Sequence, residues 1–191
     1  MKLEYYPWDC PPDFAASLAS RVRNTDPFPN IFEDIQEITI NISDEYRFIE
    51  DHLWVVDGIA RVNRRDLYQE RLLIVTPNMI NPGGEALAYF AEYMYSGLQF
   101  KDEGVVFVRP VAVREGETME DTVGRELDPS IGLCIAATGL AMTYDVPLDC
   151  RDRVCFMHRP AEGESWDEAA YHFCPMHART LIENADAYRL A

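Results

Sequence analysis

Cys150, Cys155 and His158 lie close together in "DCRDRVCFMHRP" (149–160), and His172, Cys174 and His177 follow in "HFCPMH" (172–177). Thiolate and imidazole are the ligands zinc prefers in a tetrahedron, and a Cys-x-x-His turn sets two of them at a suitable separation. Two such turns occur, Cys155–His158 and Cys174–His177, so bare spacing first nominates those residues as a zinc set. Four protein donors leave no open position for water, which would make the metal structural rather than catalytic. Accidental clustering is the competing reading. It fits poorly, because Pro160 and Pro175 shape the local turns and the intervening "AEGESWDEAA" (161–170) offers little core. A redox role for Cys150 or Cys155 is a further alternative.

The other candidate residues read more simply. Cys134 sits in the apolar run "IGLCIAATGLAM" (131–142), as a small core residue does, and Cys10 has no partner by spacing. His52 in "IEDHLWVV" stands alone and reads as a hydrogen-bonding residue. Glu126 and Asp128 could form an acid–base pair, but "GRELDPS" has the pattern of a loop and a helix cap. No Gly-x-Ser-x-Gly elbow, P-loop or dinucleotide fingerprint is present.

Several elements must position these residues. Phe14, Leu18 and Val22 recur four apart and predict an amphipathic helix opened by Pro11 and Pro12. Ile38, Ile40 and Ile42 alternate with polar neighbours in "EITINIS" (37–43), which predicts a half-buried strand. "HLWVVDG" is open between a short strand and a helix end. "RLLIVTP" (71–77) reads as a buried strand, and "NPGGEALAYFAEYMYSG" (81–97) as either a helix or an aromatic strand. "GVVFVRPVAV" (104–113) is the strongest strand signal, with Pro110 placing it at an edge or a bend. "REGETMEDTVGRELD" (114–128) is acidic and solvated. "DPSIGLCIAATGLAMTYD" (128–145) reads as an N-capped helix, apolar nearly all round and hence buried.

Composition sets the outer bounds. A chain of 191 residues is most simply one domain, and 48% hydrophobic content with twelve prolines and ten glycines is that of a globular protein. Thirty-three acidic against 17 basic residues give a formal charge of -16, which repels phosphate backbones, so no nucleic-acid partner is expected. "MKLEYYPWDCPPD" lacks the apolar core of a secretory signal, and no run reaches the roughly 18 apolar residues of a membrane helix. These readings point to a cytoplasmic protein with no membrane partner, in which cysteines are thiols or metal ligands.

Including Cys150 changes the pattern. Cys150-x4-Cys155-x-Met157 is followed after 16 residues by "CPMH" (174–177). This resembles the tail of the archaemetzincins, metzincin-type metallopeptidases in which His-Glu-x-x-His-x-x-Gly-x3-Cys-x4-Cys-x-Met leads to Cys-x-x-Cys. "FCPMHARTL" also looks like that family's closing segment, and the match is specific over residues 149–181. The resemblance implies a structural zinc held by Cys150, Cys155, Cys174 and His177, the last standing where the family has cysteine. His158 would then be a neighbour and His172 a surface residue.

The resemblance also implies a catalytic zinc, and here the sequence departs from it. The two helix histidines would fall at Gly139 and Thr143, the glutamate base at Leu140 and the glycine at Val146. Asp149, at the third-ligand place, is the one position able to bind metal. The segment 130–149 has no histidine and no glutamate, so an offset alignment does not restore the motif.

The expectation is an α/β fold: a metzincin-like single domain over 1–191, with a mixed twisted sheet, flanking helices and a C-terminal zinc-stabilised tail. Residues 1–129 would carry the sheet, 130–149 the buried former active-site helix and 150–191 the zinc-binding tail. The expected protein is a pseudo-peptidase with one structural Zn2+, binding a peptide, small molecule or protein partner. The alternatives are an enzyme that reuses the fold for another reaction, or a zinc-containing regulatory protein.

Overall fold

A computed structural model of the chain describes residues 1–48, 53–81, 97–112, 116–118, 120–158 and 171–190. The chain opens with strand β1 (Lys2–Pro7) and helix α1 (Pro12–Arg23), followed by β2 (Asp34–Glu37), β3 (Arg47–Phe48) and β4 (Leu53–Val55). Helix α2 (Val56–Val62) and strands β5 (Glu70–Val75), β6 (Met79–Asn81), β7 (Gly97–Phe100) and β8 (Val105–Val108) come next. Helices α3 (Pro129–Thr143) and α4 (Pro175–Leu190) complete the order.

The main sheet runs β2-β1-β5-β8-β7. Its first four strands are parallel and β7 pairs antiparallel with β8 at the edge. A small second sheet, β3-β4-β6, lies apart from it. Both faces of the main sheet are covered, so the central strands read as unbroken apolar runs rather than as alternating ones. Along β5, Leu73 and Val75 join the core beneath α1 and α3, whereas Leu72 and Ile74 join the second core around Trp8 and Trp54. Val106 and Val108 of β8 take the first side, and Val105 and Phe107 the second.

Strand β1 carries the sheet but has no clean pattern, because Glu4 interrupts "LEYY". That carboxylate is 8% exposed and meets Arg65 Nε at 2.6 Å, so the buried charge is compensated. The strand expected over 37–43 is corrected: β2 ends at Glu37, where strand pairing with β1 stops. Beyond Ile38, whose N–H bonds Tyr5 O at 3.0 Å, the segment has no partner strand among the described residues. Ile38, Ile40 and Ile42 instead pack on the second core. Alternation there reports an extended chain lying over an apolar surface, which needs no ladder.

"HLWVVDG" proves to be strand and helix in succession, β4 then α2. Pro110 stands two residues past the end of β8, an interior strand, so it marks a bend and not an edge. Most of 81–97 lies outside the described residues, as does His52. Within 114–128 the acidic stretch is not wholly solvated: Thr122 is buried, and Arg125 bonds both Glu117 oxygens at 2.7 and 2.8 Å. Among the described residues, no helix is long and apolar enough to cross a membrane.

Helix α3 is capped by Asp128, whose Oδ1 accepts from Ser130 and Ile131 N–H at 2.7 and 3.2 Å. It lies against α1 on one side and β7 and β8 on the other. The approach to the sheet is close at Gly139, where an added Cβ would fall 2.5 Å from Val106 Cγ1. Gly139→Ala should therefore overpack this contact by about 1–3 kcal/mol, against at most about 1 kcal/mol gained in helix propensity. A net loss of about 1 kcal/mol is expected, read as a lower urea midpoint at unchanged slope.

Candidate metal centre

The start of α4 supplies half of the site. Pro175 takes the first helical position, where a missing N–H costs nothing, and Cys174 precedes it. Ala178 N–H bonds Cys174 O at 2.9 Å, and the backbone N–H of His177 bonds the Cys174 sulfur. His177, in the first turn, is 1% exposed. This placement aims both side chains of the Cys-x-x-His turn at the preceding loop.

That loop, 150–158, supplies the other half. It folds back on itself, with Cys150 N–H donating to Met157 O at 2.9 Å, and His158 N–H to Cys155 O at 2.9 Å. It then pairs with the strand-like approach to α4, through Phe156 N–H to His172 O and His172 N–H to Val154 O, both 3.0 Å. Phe156 and Phe173 pack with ring centroids 4.9 Å apart and planes tilted by 53°. Met157 and Phe156 are fully buried, which anchors the loop to the core beside α3.

Four donor atoms converge: Sγ of Cys150, Cys155 and Cys174 and a ring nitrogen of His177, all within 4.8 Å of one another. The Cys150 and Cys174 sulfurs are 3.7 Å apart, and His177 Nδ1 is 3.1 Å from Cys174 Sγ and 3.8 Å from Cys155 Sγ. Zn–S bonds of about 2.3 Å and a Zn–N bond near 2.0 Å in a regular tetrahedron give edges of about 3.8 Å for S–S and about 3.5 Å for S–N. The donor set therefore fits zinc in type and in spacing. Cys155 Sγ also accepts the Cys174 N–H at 3.3 Å, a bond that favours a charged sulfur.

The set brought together is the one with Cys150, not the symmetric pair of turns. His158 turns away, its Nδ1 2.8 Å from Cys150 O, and His172 is exposed. Asp149, at the position matched to the third catalytic ligand, reaches the tail cluster. Its Oδ1 lies 3.3 Å from His177 Nε2.

Electrostatics divides the thiols. Burial pushes Cys155 up to about 12, with backbone N–H groups only partly opposing it. Burial raises Cys174 too, but hydrogen bonds from the His177 backbone and side chain, Cys150 and Cys155 outweigh this and bring it down to about 7. The helix N-terminus adds a favourable partial charge beside Cys174. Cys134 is an inert core thiol, pushed up to about 12 by burial. Cys10 is likewise buried, far above the usual range at about 11. Asp128 is the α3 cap and Glu126 is exposed, so the two form a loop and cap as the sequence suggests.

Of the positions that the resemblance gives to a catalytic zinc, Leu140 and Thr143 are buried, Gly139 is half-buried against the sheet and Asp149 is exposed. Gly139 abuts Val106, and Leu140 is fully buried. Thr143 is also fully buried, its hydroxyl accepting from Arg71 Nε at 3.0 Å and donating to Leu140 O at 2.7 Å. The left-handed turn after α3, a conformation glycine adopts most cheaply, falls on Asp145 (φ 61) and not on Val146. Moving the motif one residue earlier would set the ligand pair at Thr138 and Met142, again without histidine. Thr138 donates its hydroxyl to Phe156 O at 2.8 Å.

The mostly parallel sheet, the buried α3 and the tail cluster together define an archaemetzincin-like α/β fold. Solved structures align with nearly the whole chain. A zinc-dependent peptidase from Methanocorpusculum labreanum matches at TM-score 0.63 and 15% identity, over 95% of this chain and 100% of that one. Archaemetzincin from Methanopyrus kandleri gives 0.61 and 16%, over 97% and 96%. Archaemetzincin from Archaeoglobus fulgidus gives 0.59 and 13%, over 94% and 99%. No protein-family model matches the sequence, and no curated protein does.

Zinc needs thiolates, and Cys155 holds its proton up to about 12 in the metal-free cluster. Binding therefore releases protons, and affinity must rise with pH. Zinc affinity at pH 6 should be at least about tenfold below that at pH 7, measured by competition with a chromophoric chelator. A pH-independent affinity would exclude the thiols as ligands.

Proposed function

We propose that this protein is an archaemetzincin-like pseudo-peptidase that holds one structural zinc through Cys150, Cys155, Cys174 and His177. It acts by binding a partner, whether peptide, small molecule or protein, and not by hydrolysis. The closed set of four donors at tetrahedral spacing carries the reading, since it leaves no coordination position for water or substrate. The zinc joins two segments far apart in chain order, the 150–158 loop and the first turn of α4. Its binding energy is thereby folding energy for the tail.

We carry the zinc dependence of the Methanocorpusculum labreanum peptidase over to this chain in its metal and not in its chemistry. A metzincin's water-activating zinc needs two histidines one helical turn apart and a base beside the first. Gly139, Leu140 and Thr143 offer none of these, and each is engaged in packing or hydrogen bonding. Regaining that chemistry would require histidines where Val106 and Arg71 already stand.

Metal analysis should find one zinc per chain, and Cys155→Ala should lose that zinc together with cooperative folding of the tail, followed by near-ultraviolet circular dichroism and melting. Zinc-loaded protein should cleave no member of a peptide library. Two zinc ions per chain, or peptide hydrolysis that a chelator abolishes before the protein unfolds, would exclude the proposal.

A further inference from the structure

His177 is the one cluster donor with a second ring atom to satisfy. Its Nδ1 faces the sulfurs, at 3.1 Å from Cys174 and 3.8 Å from Cys155. Its Nε2 lies 3.3 Å from Asp149 Oδ1. An imidazole carries one proton when neutral, and only the unprotonated nitrogen can bind metal. A carboxylate beside Nε2 holds the proton there, frees Nδ1 for the cluster and fixes the plane of the ring. Burial sharpens the demand, because His177 is 1% exposed and water cannot replace a lost acceptor freely.

We infer that Asp149 is a positioning residue, which sets the tautomer and orientation of His177 and so tunes zinc affinity of the Cys3His cluster. This rests on the zinc reading proposed above. Asp149 precedes the ligand Cys150 in the chain, so one short turn delivers both a sulfur to the cluster and an acceptor to its imidazole. The three sulfurs have no comparable requirement, which makes the effect specific to a histidine at 177. Such partners are worth about 10–100-fold in metal affinity. The low end applies here, since the Asp149 side chain is 66% exposed and solvent screens it.

The test is a double-substitution cycle on the full chain, with zinc affinity read by chelator competition. Asp149→Ala should weaken zinc binding by about tenfold. In a His177→Cys background, where the ligand has no second nitrogen, the same substitution should change affinity by less than about twofold. Equal losses in both backgrounds would show that the carboxylate acts through its charge on the whole cluster, and would overturn the inference. So would an unchanged affinity in Asp149→Ala. Long-range proton–nitrogen NMR of the zinc-loaded wild type gives a readout that needs no variant to fold. It should show Nδ1 on the metal and the proton on Nε2, and the reverse tautomer would overturn the inference. Zinc uptake by the wild type with no Asp149 effect sinks this inference alone, whereas a wild type that takes up no zinc sinks the reading beneath it.

Discussion

A fully buried guanidinium must find an acceptor for its N–H groups, and in this protein that requirement ties the sheet to both long C-terminal helices. Arg71, near the start of β5, donates Nε to the Thr143 hydroxyl at 3.0 Å and one terminal nitrogen to Leu67 O and Glu70 O at 2.6 and 2.8 Å. Its remaining nitrogen approaches Thr143 O at 3.5 Å. The planar cation stacks over Tyr144 at 4.1 Å and faces Tyr188 of α4 at 5.1 Å. Desolvation lowers its pKa, which neighbouring tyrosines and Asp145 partly oppose. A cation at the last carbonyls of α3 also complements the helix dipole. The junction lies where α3 ends, at Thr143 and Tyr144, just before Asp145 turns left-handed.

The same junction accounts for the contrast between the two regions of chemical interest. On α3, the positions matched to a catalytic metal carry Gly139, Leu140 and Thr143, and their space is taken by Val106, core and Arg71. Past the turn, donors gather. Helix α4 carries Cys174 and His177 at one end, and toward the other Asn184 Nδ2 donates to Tyr144 O at 2.6 Å and Arg189 to Ile31 O at 2.7 Å. The helix thus spans from the cluster to the N-terminal part of the chain. The donor cluster at its first turn is thus linked through one helix to contacts at the end of α3 and near the N-terminus.

Identities of 13–16% with TM-scores near 0.6 carry the fold and nothing of activity. Two departures from the resembled motif, Asp149 and His177, meet in space at 3.3 Å. The site is therefore best understood from its own atoms: three sulfurs, one imidazole and one carboxylate.

Sequence alone determined the donor types, their Cys-x4-Cys and Cys-x-x-His spacing, the strands β5 and β8 and the capped helix α3. These signals are local, set by ligand chemistry, apolar runs and a cap that acts within four residues. The pattern of α4 is equally local, with His177, Leu181, Ala185 and Tyr188 at helical spacing. Tertiary structure alone decided what depended on long-range neighbours. Strand β1 was hidden by Glu4, whose partner Arg65 is distant in the chain. The isoleucines at 38, 40 and 42 alternate as a strand does, yet among the described residues they pack on the second core with no strand paired to them. Cys150 joins the cluster over His158 because the loop's backbone bonds turn one side chain in and the other out. Spacing cannot report which imidazole a carboxylate will face, and only the packing of α4 against the loop sets Asp149 beside His177.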